Sequence, residues 1–189
     1  DARILPRTAG IPDELFEHDG QISKREIRAV VLSSLAPHRG ELMWDIGSGS
    51  GSVAIEWMLS DPTMRAIAIE RRGDRAARIV RNAAACGVPG LRVIAAAAPG
   101  ALAELPVPDA IFIGGGASNV LDSAARALRP GGRLVVNAVT LETETLLLGR
   151  HAVLGGELLR FAISRAEPLG EKIGWRAAMP VTQWKWVKP

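Results

Sequence analysis

A glycine-rich turn with an acid on either side is the part of this sequence most clearly built for chemistry. Asp45-Ile46-Gly47-Ser48-Gly49-Ser50-Gly51 follows a short apolar run, and Glu70 ends the next one. Such a turn lets backbone approach a ligand where side chains would block it. The free amides opening the following helix then point at a negative or polar group. The spacing is G-x-G-x-G, whereas the dinucleotide fingerprint G-x-G-x-x-G asks for glycine where Ser52 stands. Asp45, two positions before the first glycine, is placed to receive an ammonium directly or through water. A pyrophosphate would be repelled by that acid, and a sulfonium nucleoside without phosphates suits it. Glu70 is placed to accept both hydroxyls of a ribose. The set favours S-adenosyl-L-methionine as cofactor, with S-adenosylhomocysteine as product. A nicotinamide or flavin site, and a plain tight turn beside a surface acid, are the alternatives.

These residues need a sheet to hold them, and the hydrophobic pattern supplies one. Ser23 to Leu35 reads as an amphipathic helix with Ser23 and Glu26 in a capping-box pattern, closed by Pro37-His38-Arg39-Gly40. Glu41 to Ile46 reads as a strand, Ser52 to Leu59 as a helix, and Arg65 to Glu70 as a second strand. A helix from Arg72 to Cys86 stops at Gly87. Arg92 to Ala95 is a third strand and Pro99 to Glu104 a short helix. The fourth strand, Ala110 to Ile113, runs into Gly114-Gly115-Gly116; a helix from Asn119 to Leu128 ends before Pro130-Gly131-Gly132. The fifth strand, Arg133 to Asn137, precedes a helical stretch from Leu141 to Leu154. Beyond Gly155-Gly156, Glu157 to Arg165 and Met179 to Val187 read as two strands joined by an irregular loop. The alternation predicts an α/β fold, a mostly parallel, doubly wound, Rossmann-like sheet of seven strands finished by an antiparallel hairpin. That architecture is similar to the class I methyltransferases. One domain over 1–189 is expected: a leading segment at 1–22, a nucleotide-binding core at 23–154 and the terminal hairpin at 155–189.

Composition sets the outer bounds. The 189 residues suffice for one well-filled core, and a hydrophobic fraction of 48% excludes a disordered chain. No run approaches the roughly 18 apolar residues of a membrane span, and the residues from Asp1 to Pro6 do not read as a signal peptide. The absence of an initiator Met marks a cut edge, so a longer parent chain is expected. Cys86 stands alone, which excludes a disulfide framework or a cysteine zinc cluster. A cytoplasmic location is the default. The net charge of +3 is carried mainly by arginine, since lysine occurs only at Lys24, Lys172, Lys185 and Lys188. Either an anionic partner or solvated helix faces explain that bias. The series Arg71, Arg72, Arg75, Arg78 and Arg81 has helical spacing without interleaved aromatics, so no nucleic-acid partner is expected.

Pro12-Asp13-Glu14-Leu15-Phe16 and Gly20-Gln21-Ile22-Ser23-Lys24-Arg25-Glu26-Ile27-Arg28 resemble the leading segment of the precorrin methyltransferases of cobalamin biosynthesis. These are the decarboxylating enzymes that act at carbon 15 of precorrin-6Y (precorrin-6B). The glycine loop, Ile113-Gly114-Gly115, and the strand-five ending Val135-Val136-Asn137-Ala138-Val139-Thr140-Leu141-Glu142 are similar too, so the resemblance covers nearly the whole chain. It implies methylation of carbon 15 and loss of carbon dioxide from the acetate on carbon 12 of an anionic tetrapyrrole. It also implies a homotetramer and, as in some members, fusion behind a second tetrapyrrole methylase domain acting at carbon 5. Within the site it implies a cofactor-side hydroxyl at Ser23, the loop Gly47 to Gly51, a ribose acid at Glu70 and an adenine-side backbone contact at Ala98. Gly114 joins that set, and backbone at Ala97 shares the adenine side. Many adenosylmethionine enzymes carry an acid after the third strand; Ala95-Ala96-Ala97-Ala98-Pro99 has none.

Methyl transfer to an electron-rich macrocycle needs positioning more than a base. Loss of carbon dioxide leaves an exocyclic carbon to be protonated, so an acid is useful. His18 and Glu142 are the candidates, with Asn137 and Thr140 orienting the substrate. Histidine is the residue type suited to proton transfer near neutrality; an exposed loop histidine is the alternative for His18, as is an ordinary first-turn acid for Glu142. Arg25, Arg28 and Arg176 are the arginines expected to hold the substrate carboxylates. No metal site is expected, since His38 and His151 sit beside helix ends without convergence. Trp44, Trp57 and Cys86 read as core, and Trp184 and Trp186 share one sheet face, where a subunit contact is expected. The rival functions are a class I tRNA methyltransferase, a non-catalytic adenosylmethionine-binding subunit and a nicotinamide oxidoreductase. The [DNS]-P-P-[YFW] motif of exocyclic base methylation is missing after strand four.

Overall fold

The structure, a computed structural model, describes residues 5, 6 and 8–189; the leading residues 1–4, read above as part of a cut edge without a signal peptide, and Arg7 lie outside them. The central strands are β1 (Leu42–Ile46), β2 (Arg65–Ile69), β3 (Arg92–Ile94), β4 (Ala110–Ile113) and β5 (Arg133–Ala138). Every residue of β1, β4 and β5 is buried, the near-continuous apolar reading of strands covered on both faces. Two further strands, β6 (Glu157–Phe161) and β9 (Val181–Val187), complete a sheet in the order β3-β2-β1-β4-β5-β9-β6. Pairing is parallel from β3 through β5, and β9 runs antiparallel to both of its neighbours.

Strand alternation divides the core. Met43 points to one face, packed by α1 (Arg25–Leu35), α2 (Ser52–Leu59) and α3 (Gly73–Ala85). Leu42, Trp44 and Ile46 point to the other, under α4 (Leu121–Ala127) and α5 (Leu141–Leu154). Trp57 and Cys86 sit in the first core, and Trp184 in the second, stacked on Trp186 at 6.2 Å between ring centroids. The expected short helix at 99–104 and the helix at 119–128 are smaller than their patterns suggest. The first is a 3-10 turn at Gly100–Leu102, and the second is split between a 3-10 turn at Ala117–Asn119 and α4.

Two expectations fail for local reasons. The capping box does not form: α1 starts at Arg25, and Lys24 is an N-cap without a side-chain bond. The Ser23 carbonyl is instead taken by the buried Arg28 guanidinium. The loop between the last strands is not irregular. The chain leaves β6 at Phe161 and forms a separate two-stranded ribbon, β7 (Ser164–Leu169) and β8 (Lys172–Ala177), before re-entering the sheet at β9. Leu169 pairs with Lys172 across a two-residue turn led by Gly170, whose φ is +62°, a tight hairpin geometry that glycine adopts without strain.

Arg28 is the main polar tie of the amino-terminal segment. Fully buried, it bonds Glu56 Oε1 through Nε at 2.7 Å and Asp13 Oδ1 through Nη1 at 2.6 Å, and it also reaches the carbonyls of Ile11 and Ser23. Glu56 in turn accepts from the amides of Gly10 and Ile11. The charge is thus neutralised and bonded inside the protein, which explains how an arginine tolerates burial.

Candidate active site

The sheet reverses its order between β1 and β4, and a cleft of about 740 Å³ opens there at the carboxyl ends of the strands. Its first half is built by the turns after β1, β2 and β3. Gly47, Gly49 and Gly51 all have positive φ, so the backbone winds tightly and turns Gly47 and Gly49 to the ligand space. A Cβ on Gly47 would stand 3.2 Å from the Gly115 carbonyl, and one on Gly49 would stand 3.3 Å from the Gln21 carbonyl. The amides of Gly47 and Ser48 both donate to the Ile69 carbonyl, fixing this turn against the end of β2.

Asp45 is buried at the base of the cleft. Its Oδ2 accepts from the Ser48 hydroxyl at 2.6 Å and the Ala54 amide at 3.2 Å. Its Oδ1 is buried and has no partner among the described residues. Burial pushes this carboxyl up to about 6, with the Glu70 charge adding to the rise, while the bonds from Ser48 and Ala54 oppose it. An unpaired, buried carboxylate oxygen in a cleft wall is a socket for a cation or a donor. Glu70 is also buried, and its carboxylate is held at both oxygens: Gly49 N donates to Oε2 at 3.0 Å and Arg72 N to Oε1 at 2.9 Å. Each oxygen keeps a lone pair for a further donor.

Of the residues expected at the cofactor, Ser23, Asp45, Gly47, Ser48, Gly49, Glu70, Ala97, Ala98 and Gly114 line this one cleft. Ser50 and Gly51 turn away from it. Asn82 Nδ2 donates to the Ser50 carbonyl, and a Cβ on Gly51 would meet Ile79 Cγ2 at 2.7 Å, so both face α3. Among the residues expected at the acceptor, Asn137 lines the cleft, and three others do not. Thr140 is the N-cap of α5, accepting from Thr143 N. Glu142 is exposed in the first turn of that helix, and exposed His18 accepts the Gly20 amide at its Nδ1. Each is engaged in local helix-end or turn geometry outside the lining. Arg28 is excluded as a substrate arginine by its buried ion pairs. Arg176 pairs with Glu167 on the ribbon, and neither it nor Arg25 lines the cleft.

Gly20 to Lys24, part of the leading segment that carried the family resemblance, cover one side of the cleft as a strap. The strap is tied to α3 by Arg75 and Arg78 to Asp19 and by Arg81 to Glu17. The hydrogen bond from Arg75 holds the Asp19 carboxyl far below its ordinary range. Phe161, Ile163, Arg165, Ala178, Met179 and Val181 form the opposite wall, so the ends of the ribbon shape the second half of the cleft. Glycine-led turns within a polar alternation were the available signal for that ribbon. The cleft is therefore divided: an acidic, glycine-floored half at β1 to β3, and an apolar half with few polar groups at β5, β6 and β9. Lys24, Arg71 and Arg165 stand at its edges.

A sequence profile described as the precorrin methyltransferase domain matches residues 14–188. The chain belongs to this family. It is 64% identical over 189 residues to the precorrin-6Y C(5,15)-methyltransferase [decarboxylating] of a Sinorhizobium species, covering 99% of this chain and 46% of that protein. A shorter relative, the cobalt-precorrin-6B C(15)-methyltransferase (decarboxylating) of Salmonella typhimurium, is 33% identical, with 84% of this chain and 85% of that protein covered. The crystal structure of the C-terminal domain of precorrin-6Y C5,15-methyltransferase from Rhodobacter capsulatus is 50% identical and superposes with a TM-score of 0.92, covering 97% of this chain and 100% of that one. The family chain here spans about half the length of the long curated relatives it matches. Its fold is the class I adenosylmethionine-dependent methyltransferase fold, as the alternation of strands and helices implied. Among the described residues no helix is long and apolar enough to cross a membrane.

Proposed function

We propose that this chain, acting as one methyltransferase unit, methylates carbon 15 of a precorrin and releases carbon dioxide from the acetate on carbon 12, in cobalamin biosynthesis. The observation that carries the reading is the two-part cleft in a chain of this family. One half presents an unpartnered buried carboxylate oxygen, Asp45 Oδ1, to a cationic cofactor, and the other is broad, mostly apolar and edged by cations. Bound in the first half, S-adenosyl-L-methionine supplies an electrophilic methyl group.

Asp45 receives the amino group of that cofactor and Glu70 the ribose hydroxyls, with Gly47, Ser48 and Gly49 closing over the chain between them. Ser23 approaches from the strap, Gly114 from the floor, and backbone at Ala97 and Ala98 meets adenine. Arg71 meets the carboxylates of the tetrapyrrole, and Lys24 and Arg165 join it by exchanging their partners Asp13 and Glu26 for substrate. Arg71 has no ion pair among the described residues, so its charge is available. Asn137 orients the acceptor. Carbon 15 would gain the methyl as the sulfur–methyl bond breaks and S-adenosylhomocysteine leaves; loss of carbon dioxide would pass the bond electrons into the ring, and they return to the exocyclic carbon as it takes up a proton. The glycine floor at Gly114 to Gly116 leaves room for a flat macrocycle next to the cofactor half.

A cytoplasmic enzyme, fused behind a second methylase domain and assembled as a homotetramer, completes this reading. The fusion is supported by the 46% coverage of the long relative. Assembly is supported by the ribbon, where Ile173 and Trp175 alternate onto one face and are 77% and 80% exposed, an apolar surface that a single copy leaves in water. The direct test is incubation with S-adenosyl-L-methionine and a precorrin substrate, followed by mass spectrometry. A gain of one methyl with loss of carbon dioxide is expected. A folded protein that binds S-adenosylhomocysteine but leaves every precorrin unchanged would remove the reading.

A further inference from the structure

Three buried polar side chains run from the helix layer through the sheet to the acceptor half of the cleft. Ser34 on α1 donates its hydroxyl to Gln183 Oε1 at 2.7 Å. Gln183 on β9 donates Nε2 to Asn137 Oδ1 at 2.9 Å. Asn137 and Gln183 are directly opposite one another in the β5–β9 register, so their side chains share a sheet face. Gln183 is fully buried, and Ser34 and Asn137 are 8% and 6% exposed. Asn137 alone of the three lines the cleft, on a wall it shares with Val139, Phe161, Ile163 and Val181.

The direction of this chain has a consequence at its open end. An amide has one acceptor oxygen and one donor nitrogen. With the Ser34 hydroxyl on its oxygen, Gln183 must turn its nitrogen to Asn137. That occupies the Asn137 oxygen and leaves its Nδ2 without a hydrogen bond among the described residues. Stability alone does not call for such a chain, because burying polar groups costs free energy and matched apolar replacements are often neutral. We propose that Ser34 and Gln183 are positioning residues that lock the Asn137 amide with its N–H donors facing the cleft, where they meet an acceptor oxygen of the tetrapyrrole. This rests on the function proposed above, and it adds that the polarity of a buried relay selects an acceptor group on the substrate.

The test uses the full chain saturated with S-adenosylhomocysteine and titrated with uroporphyrin, a stable polycarboxylate macrocycle. Gln183→Met removes the lock, and Gln183→Glu, an acceptor at both ends, turns the Asn137 oxygen toward the cleft. Loss of a hydrogen bond to a charged group predicts uroporphyrin binding weaker by about ten-fold or more in Gln183→Met. Gln183→Glu is weakened further, while S-adenosylhomocysteine affinity stays at the wild-type value in both. Ser34→Ala shows part of the loss and Ser34→Thr restores it. Equal uroporphyrin affinity in wild type and both Gln183 variants overturns the proposal alone, as does parallel loss of both ligands, the mark of a purely structural role. A wild-type protein that binds S-adenosylhomocysteine but no macrocycle overturns the acceptor reading together with it.

Discussion

Replacing Asp45 with asparagine should make the protein more stable and its cofactor site weaker. The wild-type carboxyl is lifted from 3.8 to about 6, chiefly by burial. The folded state therefore binds this proton more tightly than the unfolded chain. Stability from this group is fully present below pH 3.8, is lost as pH rises through the window from 3.8 to 6, and stays lost above it. At neutral pH the charged form costs about 3 kcal/mol, taking 1.36 kcal/mol per pKa unit. Asparagine keeps the oxygen that accepts from Ser48 and Ala54 and puts an uncharged amide where Oδ1 stands. Asp45→Asn is then more stable by up to about 3 kcal/mol at pH 8, a rise in Tm on the order of 6–12 °C for a chain of this size. Below pH 4 the two proteins converge. Urea unfolding of both, from pH 4 to 8 without cofactor, measures this directly. The same carboxylate is the proposed ammonium receptor, so calorimetry should show S-adenosylhomocysteine binding at least ten-fold weaker in Asp45→Asn. In wild type that affinity should rise as pH passes 6. A variant no more stable than wild type at pH 8 would refute the burial argument. Unchanged cofactor affinity would refute the assignment of the socket.

Three other outcomes follow from particular contacts. Arg28→Ala strands the carboxylates of Glu56 and Asp13, and breaking a buried pair in this way costs about 3–5 kcal/mol; an unfolding midpoint equal to wild type would contradict the structural role given to it. His18→Ala and Glu142→Gln should both decarboxylate at close to the wild-type rate, because neither side chain lines the cleft. A large fall in either, measured as carbon dioxide release per methyl transferred, would return that residue to the mechanism. Trp175→Ser should lower the oligomeric state seen by sedimentation while leaving the fold intact, since Trp175 is 80% exposed in the single copy; unchanged sedimentation would remove the ribbon from the subunit contact.

Much of this site was legible because its signals are local. The glycine loop, the acid two residues before it and the acid ending the next strand lie on consecutive elements whose alternation sets their relative placement. The core strands were legible for the same reason, since parallel strands buried on both faces read as unbroken apolar runs. Ser50 and Gly51 belong to the same motif, but only the winding of the turn decides which of its residues face the ligand. The ribbon was hidden because Ser164–Leu169 and Lys172–Ala177 alternate polar and apolar weakly, contain Pro168, and pack as a sheet of their own.

What the amino-acid sequence determined by itself is the α/β alternation, the glycine loop flanked by Asp45 and Glu70, and the family pattern of the leading segment and strand five. Tertiary structure alone decided which charges are spent inside the protein and which face the cleft. Arg28 is expected among the substrate cations, yet its partners Asp13 and Glu56, 15 and 28 residues away, bury its charge. Ser34 and Gln183 are 149 residues apart, and no local pattern joins them. Hydrogen bonds and ion pairs form between whatever side chains the fold brings within about 3 Å. Their pairing is a property of packing, whereas periodicity is a property of sequence.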